Sequence, residues 1–275
     1  MPDDESKYTP PEALGQKTEQ EQKHPFSLEQ IMDKERKVPE EIKEVITQQE
    51  KKRERMYDNA KYNEHQKDWV TEGMFQWYSK SWRDEYYKDD PNVQSIFRKF
   101  FPNSVLIDLG GGGFSGVRFV AQNFEKINYV NVDRNAVYTE EKDRETEESN
   151  TFKTINEKDD DDDKEKGNKY LSVRADMLDF VSHLQSGVYN FSINGIDKAI
   201  IDNEEYHKYL TQELLRVSEP GSLIFGTKSR VLKFLNEEAQ LENPKVKRIY
   251  DGFEYEDEYI DDYSVEGTFI FEVIR

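Results

Sequence analysis

Hydrophobic positions divide the chain into two parts at about residue 60. Only 8 of the first 60 residues are Leu, Ile, Val or Phe, against 56 of the remaining 215. The first fraction is typical of charged, solvated segments, and the second is typical of a folded domain. We therefore predict a charged, partly disordered or helical N-terminal arm over residues 1–60, loosely attached to a domain over residues 61–275.

Local patterns predict helices in and after the arm. Residues 27–30, Ser-Leu-Glu-Gln, have the spacing of a capping box. Pro39 precedes an acidic and then basic run, EEIKEVITQQEKKRERM, which is the order that a helix dipole favours. Over residues 61–101 aromatic side chains recur at mostly helical spacing and predict an aromatic helical cap. We interpret these aromatics as sealing an edge of the core rather than as walling a ligand pocket.

Beyond Asn103, short apolar runs alternate with helical stretches. The runs SVLIDL, INYVNVD, YLSVRAD, VYNFSING and SLIFGT predict strands separated by helices. This alternation predicts an α/β domain with a doubly wound, mostly parallel, Rossmann-like sheet. The last two runs, KRIYDGFEYEDEYI and GTFIFEVIR, have too few residues between them for a parallel crossover. They therefore predict an antiparallel C-terminal hairpin.

An acidic insert over residues 136–169 interrupts the alternation. The segment is nearly devoid of apolar residues, so we predict an inserted loop or frayed helix between the second and third strands. Its five consecutive aspartates, Asp159 to Asp163, lack the alternating spacing and the distal glutamate of a calcium loop. The pattern favours a solvated acidic loop over a cation site, and we predict no metal site in the chain.

Composition excludes several classes of function. Asp and Glu outnumber Lys and Arg by 58 to 39, which gives a formal charge of −19. Nucleic acid is disfavoured as a partner, because affinity for it comes largely from basic side chains at phosphates. The absence of cysteine excludes disulfides, thiolate zinc sites and cysteine nucleophiles. Without a signal-peptide pattern or a membrane-spanning apolar run, the sequence predicts a soluble, cytoplasmic protein with no membrane partner.

The end of the first predicted strand carries the most informative motif. The strand runs through Asp108 into four glycines, Gly110 to Gly113, and such a turn lets backbone approach a ligand. Residues 111–116 also satisfy G-x-G-x-x-G, and Asp133 ends the next strand where a dinucleotide site has its ribose-binding acid. The acid Asp108 would repel a pyrophosphate, whereas it would attract a ligand that carries an amino group and a sulfonium.

At these residues the sequence resembles the class I S-adenosylmethionine-dependent methyltransferases, which have a seven-stranded Rossmann-like fold. VLIDLGGGG is similar to the family's first motif, D-x-G-x-G, NYVNVDRN to its second strand, VRADMLDF to its third, and ELLRVSEPGSLIFGT to its helix, turn and fifth strand. The resemblance covers about residues 60–275. Phe114 departs from it, because it occupies the position of the family's third glycine, and Ser222 replaces the second glycine of P-G-G.

The resemblance implies S-adenosylmethionine as cofactor and methyl transfer as the reaction. Asp133 would hold the ribose hydroxyls, Asp176 and the backbone of Met177 would meet the adenine, and Asn194 would lie beside the methyl-donor end. The cofactor-binding residues implied in this way are Asp108, Gly110, Gly111, Gly112, Asp133, Arg134, Asp176, Met177 and Asn194. Asn194, Asp197 and His207 are weak candidates for contacting the acceptor, and no catalytic residue is identified.

Several alternatives stay open at this point. The tip from Asn194 to Asp197 lacks the D/N-P-P-Y/F signature of amino-methylating enzymes, so we predict a small-molecule acceptor, with a protein acceptor as an alternative. A non-catalytic, methyltransferase-like interaction protein and an NAD(P)-dependent oxidoreductase are rival functions. The glycines could serve only a tight turn, and Asp133 and Asp176 could be ordinary strand ends or helix caps. The sequence does not indicate the oligomeric state.

Overall fold

The computed structural model describes residues 26–60, 90–111, 124–134, 145–148, 153–156, 166–193, 203–227, 230–251 and 268–275. A short 3-10 helix (Leu28–Gln30) and five α-helices lie in these ranges: α1 (Glu40–Ala60), α2 (Pro91–Phe100), α3 (Met177–Ser182), α4 (Glu204–Val217) and α5 (Arg230–Glu238). The strands are β1 (Val105–Leu109), β2 (Asn128–Asp133), β3 (Glu145–Glu148), β4 (Lys153–Asn156), β5 (Lys169–Arg174), β6 (Tyr189–Ile193), β7 (Leu223–Thr227), β8 (Val246–Asp251) and β9 (Thr268–Val273). No helix in this part of the chain is long and apolar enough to cross a membrane.

The nine strands form one sheet in the order β3-β4-β5-β2-β1-β6-β7-β9-β8. Five neighbouring strands of the sheet, β5, β2, β1, β6 and β7, are parallel. β8 and β9 pair as an antiparallel hairpin. The predicted fold class, a doubly wound and mostly parallel sheet with an antiparallel C-terminal hairpin, is therefore confirmed. The chain adds strands in one direction from β1 to β5 and then returns to β6, so the topological switch point lies between β1 and β6.

The acidic insert contributes two strands to this sheet. β3 and β4 pair with each other, and β4 pairs antiparallel with β5, which extends the sheet beyond its parallel part. The expectation of a loop or frayed helix is wrong for these residues. An edge hairpin is held by backbone hydrogen bonds, which do not require the apolar alternation that identifies buried strands. The aspartate run from Asp159 to Asp163 lies outside the described residues.

Hydrophobic layers cover both faces of the sheet. On one face α2 contributes Val93 and Phe97, which pack with Phe101 on Leu106 and Phe225. The rings of Phe97 and Phe101 stack with their centroids 4.5 Å apart, and both side chains are fully buried. For these two aromatics the predicted role in sealing the core is confirmed, whereas the aromatics of residues 61–89 lie outside the described residues. The other face is covered by α3, α4 and α5.

The N-terminal arm packs against α3 and α4. Its buried apolar side chains belong to the same core cluster as those helices: Leu28, Ile31, Val38, Ile42, Val45 and Ile46. Arg36 pairs with Glu213 of α4 at 3.2 Å. The helix predicted after Pro39 and the capping box of residues 27–30 are both confirmed. The expected loose attachment is wrong for residues 26–50, because a narrow apolar stripe along α1 suffices for docking although the average composition is polar.

Gly226 of β7 provides a stability test of the fold. A Cβ added at this position would lie 2.2 Å from the carbonyl oxygen of Ile193, whereas one added at Gly221 would have no atom within 4 Å. Gly221 has a φ of +93°, so alanine there is strained but not crowded. We expect Gly226→Ala to lower the free energy of unfolding by about 3 kcal/mol and Gly221→Ala by about 1 kcal/mol, measured by urea denaturation. Equal losses would contradict the close approach of β7 to β6.

Candidate functional site

The carboxyl end of β1 is built from an acid and two glycines. Gly110 adopts a φ of +76°, and its N–H donates to the carbonyl of Val132 at 2.8 Å. Gly111 has no room for a side chain, since a Cβ there would lie 2.3 Å from Oδ1 of Asn131 and 2.6 Å from Oδ2 of Asp108. Only glycine therefore lets the backbone fold directly over the buried polar atoms of β1 and β2.

Asp108 is part of a row of polar side chains that crosses the sheet. We call it the polar row, and it consists of the fourth residue of four strands: Ser172, Asn131, Asp108 and Ser192. The strand register places these residues side by side across β5, β2, β1 and β6, and none is more than 1% exposed. Buried polar groups in strands lower stability unless they are paired, so a row of four indicates a functional constraint on this edge.

The carboxyl of Asp108 is ionisable near neutral pH. Tyr129 Oη donates to Asp108 Oδ2 at 2.6 Å, whereas Oδ1 has no hydrogen-bond partner among the described residues. Burial raises the pKa of Asp108 to about 6, hydrogen bonds from Tyr129 and Ser192 oppose the rise, and the nearby charge of Asp133 adds to it. The site therefore holds a buried negative charge above about pH 6, with one carboxylate oxygen unused by the described residues.

The carboxyl end of β2 carries Asp133 and Arg134. Asp133 is half-buried and lies beside Arg174 of β5 in the strand register. Arg134 forms two ion pairs, one from Nη2 to Glu50 Oε1 at 3.1 Å and one from Nη2 to Asp176 Oδ2 at 3.0 Å. The structure thus brings Asp108, Gly110, Gly111 and Asp133 together at the ends of two adjacent strands, and it directs Arg134 toward α1 and α3.

Asp176 caps the N-terminus of α3. Its Oδ1 accepts from the backbone N–H of Leu178 at 3.0 Å and of Asp179 at 3.3 Å, and from Tyr206 Oη at 2.7 Å. Its Oδ2 accepts from Arg134, so both carboxylate oxygens are engaged by protein. These bonds give Asp176 the role of a helix cap, which the sequence left open as an alternative. The predicted adenine contacts of Asp176 and of Met177, which is buried, stay predictions.

Five hydrogen bonds and the peptide bond between Gln49 and Glu50 link the arm to this edge of the sheet in a closed circuit, which we call the polar ring. Its members, in order around the circuit, are Gln49, Glu50, Arg134, Asp176, Tyr206 and Asn203. The circuit closes because Asn203 Nδ2 donates to Gln49 Oε1 at 3.1 Å, and Gln49 precedes Glu50 in α1. Burial and the charge of Asp176 raise the pKa of Tyr206 well above its usual value, which keeps its hydroxyl protonated as a donor.

The other predicted site residues are not brought to this edge by the described structure. Gly112, Phe114, Asn194 and Asp197 lie outside the described residues. His207 is described, and it is fully buried in α4 with its ring centroid 6.1 Å from that of Tyr206. This is the position of a core histidine, so the structure gives no support to a contact between His207 and an acceptor.

Most of the polar row and of the polar ring escaped prediction from the sequence. A signal for the row was present, because β1, β2, β5 and β6 each carry a polar residue at their fourth position within an apolar run. For the ring the only signal was Gln49, which follows Ile42, Val45 and Ile46 at the next helical position of the same stripe. A buried glutamine on that stripe indicates a polar partner on the surface to which the helix docks.

The order of the strands identifies the fold. Without the β3–β4 hairpin, seven strands remain, and numbered by chain order they lie 3-2-1-4-5-7-6. The seventh is inserted antiparallel between the fifth and the sixth. The fold is that of the class I S-adenosylmethionine-dependent methyltransferases. The β3–β4 hairpin enlarges this seven-stranded sheet by two strands on the side of the third.

Comparisons with known proteins give distant structural similarities. A Streptococcus mutans protein described as a methyltransferase, solved with S-adenosylhomocysteine, is 9% identical with a TM-score of 0.40, over 66% of this chain and 95% of its own. An rRNA methylase from Streptococcus thermophilus is 10% identical with a TM-score of 0.36, over 66% and 94%. Precorrin-6y C5,15-methyltransferase from Geobacter metallireducens is 11% identical with a TM-score of 0.35, over 70% and 93%. No protein-family model and no curated protein matches the chain.

Proposed function

We propose that this protein binds S-adenosylmethionine at the carboxyl ends of β1, β2 and β5 and transfers its methyl group to an acceptor. The observation that carries the proposal is the buried carboxyl of Asp108. It lies beneath Gly110 and Gly111, beside the topological switch point where open α/β sheets bind ligands. One of its oxygens is unpartnered among the described residues.

The charge of this edge fits the cofactor. S-adenosylmethionine supplies an activated methyl group on a sulfonium, and it also carries an amino group and ribose hydroxyls. Asp108 would attract the positive groups, and the half-buried Asp133 would accept hydrogen bonds from the ribose hydroxyls. A dinucleotide would bring a pyrophosphate to the same glycines, and a carboxylate buried there would repel it. This difference favours the methyltransferase over the NAD(P)-dependent oxidoreductase.

The chain's own residues would act mainly by binding and orientation. Gly110 and Gly111 would let the backbone approach the ligand, and Asp133 would fix the ribose end. The cofactor carries the activated methyl group, so the protein contributes to catalysis mainly by holding the methyl donor at one position and excluding water. A general base would be needed only for an acceptor that has to lose a proton.

We propose a small molecule as the acceptor. The formal charge of −19 disfavours a polyanionic acceptor, because electrostatic repulsion would slow its approach. The test is transfer of labelled methyl groups from S-adenosylmethionine into three separated fractions: metabolites, total RNA and denatured protein. Label in the metabolite fraction supports the proposal, and label in RNA or protein alone contradicts it.

The cofactor is tested first, by calorimetric titration of the full chain with S-adenosylmethionine, S-adenosylhomocysteine and NADH. One-to-one binding of both adenosyl ligands without a response to NADH supports the proposal. A response to NADH alone would favour the oxidoreductase. A folded protein that binds none of the three would favour the non-catalytic interaction protein.

Asp133→Ala is expected to weaken S-adenosylmethionine binding by about 1–3 kcal/mol, because the ribose hydroxyls lose a charged acceptor. Since Asp133 is half-buried and at the end of β2, the melting temperature of the apo protein should change little. The matched control is Asp251→Ala in the edge strand β8, which removes an exposed carboxylate far along the sheet from β2. Equal affinities for the two variants would contradict the assignment of Asp133 to the ribose.

A further inference from the structure

The arm helix α1 contacts the tip of β2 and the start of α4 through adjacent residues. Glu50 accepts a hydrogen bond from Arg134, which directly follows Asp133 at the tip of β2. Gln49 accepts one from Asn203, the residue that caps the first turn of α4. The two contacts are separated by 84 and 154 residues along the chain, so they tie the arm to parts of the domain that lie far from it in sequence.

Gln49 makes the stronger of these contacts. Its side chain is 1% exposed, whereas the side chain of Glu50 is 53% exposed. An exposed ion pair contributes little because water and salt screen it, whereas loss of the buried acceptor Gln49 would leave the amide of the half-buried Asn203 without its partner on α1. The neighbouring Gln48 is exposed, which makes it a matched control of the same residue type.

Asn203 joins Gln49 to the first turn of α4. The backbone N–H of Tyr206 can only donate, and it donates to Asn203 Oδ1 at 3.1 Å, which directs Asn203 Nδ2 toward α1. Gln49 Oε1 accepts from that Nδ2 at 3.1 Å. Tyr206 in turn donates to Asp176, and Asp176 holds Arg134 beside Asp133. Four hydrogen bonds of the polar ring thus connect Gln49 to Arg134 at the tip of β2.

Resting on the proposed function, we infer that α1 is a positioning element of the cofactor site, in which Gln49 and Glu50 set the geometry of the β2 tip through the polar ring. Cofactor binding and docking of the arm then stabilise each other. The coupling is reciprocal, because a ligand that binds better when α1 is docked must also favour the docked state. The affinity for the cofactor therefore depends on whether α1 is docked.

The first test compares the affinity of full-length variants for S-adenosylhomocysteine by calorimetry. Gln49→Met keeps the volume and the apolar stripe of α1 but removes the acceptor for Asn203. We expect it to weaken binding about 10-fold, and the control Gln48→Met to stay within about 2-fold of the wild type. Glu50→Gln should weaken binding about 2-fold, with Glu44→Gln on the exposed side of α1 unchanged.

A second measurement distinguishes a positioning role for Gln49 from a merely structural one. Hydrogen exchange of the α1 amides is followed with and without S-adenosylhomocysteine, with α5 as the internal reference because it contributes no residue to the polar ring. We expect the ligand to slow exchange in α1 of the wild type and of Gln48→Met, but not of Gln49→Met. A structural role alone would raise α1 exchange in Gln49→Met without changing the response to ligand.

The outcomes distinguish this inference from the proposed function. If the wild type binds S-adenosylhomocysteine and Gln49→Met binds it equally well, the positioning role is wrong and the proposed function stands. If the folded wild type does not bind S-adenosylhomocysteine, the proposed function is wrong and the positioning role is wrong with it. A 10-fold loss in Gln49→Met, together with loss of the ligand-dependent slowing of exchange in α1, supports both.

Discussion

Asp108→Asn is expected to stabilise the apo protein at pH 7.5 and to weaken its binding of S-adenosylmethionine. Burial raises the pKa of this carboxyl from its ordinary value of 3.8 to about 6. Between these values the folded protein holds a proton that the unfolded chain releases, so the free energy of unfolding falls as the pH rises through this window. Above it, the buried charge lowers stability by about 3 kcal/mol relative to a neutral carboxyl.

The neutral amide of Asn removes the destabilisation by the buried charge, while it keeps the shape of the side chain and the hydrogen bond from Tyr129. We expect Asp108→Asn to raise the melting temperature by about 5 °C at pH 7.5 and to leave it nearly unchanged at pH 4. Affinity for S-adenosylmethionine should fall about 10- to 100-fold, because the ligand's positive groups lose their buried counter-charge. Stability and function thus change in opposite directions, as is common for residues kept for binding.

Thermal melts at the two pH values and a titration at pH 7.5 check this expectation. The control is Asp251→Asn, whose carboxylate is exposed in β8 and which should change neither quantity. A lower melting temperature for Asp108→Asn at pH 7.5 would mean that the fold stabilises the charged carboxylate, and it would contradict a raised pKa for Asp108.

Deletion of residues 1–55 is expected to destabilise the domain by about 5 kcal/mol or more and to abolish cofactor binding. The deletion removes the six buried apolar side chains of the arm, and each contributes about 1–3 kcal/mol by burial. It also exposes the apolar surface of α3 and α4 that they cover. Since whole domains are stable by about 5–15 kcal/mol, the truncated chain should be partly unfolded at room temperature.

Point variants test the packing of the arm without the risk that the truncated chain misfolds. Ile42→Ala, at a position 3% exposed, should lower the free energy of unfolding by about 2–4 kcal/mol. Thr47→Ala, on the exposed side of the same helix, should have an effect of less than about 0.5 kcal/mol. A stable, fully folded deletion variant would show that the arm is only tethered, which is the arrangement expected from its composition.

The strands that can be predicted from this sequence are those whose side chains are buried. β1, β2, β5, β6 and β7 are apolar runs bounded by turns, and their alternation with helices predicts a parallel sheet. The hairpin of β3 and β4 has no such signal, because its backbone pairing with β5 does not depend on which side chains it carries. Docking of the arm is equally hard to predict. It depends on one narrow stripe of apolar side chains, which the average composition of 60 residues does not reveal.

The candidate site divides in the same way. Asp108, Gly110 and Gly111 lie in one motif at the end of β1, and Asp133 ends the next strand along the chain, so two strand ends and one turn identify all four. The polar row needs the register of four strands before its members become neighbours. The polar ring needs the tertiary docking of α1. The helix cap made by Asp176 is local and could be predicted as an alternative, but its bonds with Arg134 and Tyr206 join residues that are distant in sequence.

The docking of the arm has a consequence for folding during synthesis. The ion pair between Arg36 and Glu213 spans 177 residues, so the arm leaves the ribosome long before α4 exists. At about 5–20 residues per second, the nascent arm waits roughly 10–30 s for its partner. During this interval its six apolar side chains face water, while the many charges beside them oppose aggregation. The arm is therefore synthesised before its partner helix and reaches its native position only after α4 has formed.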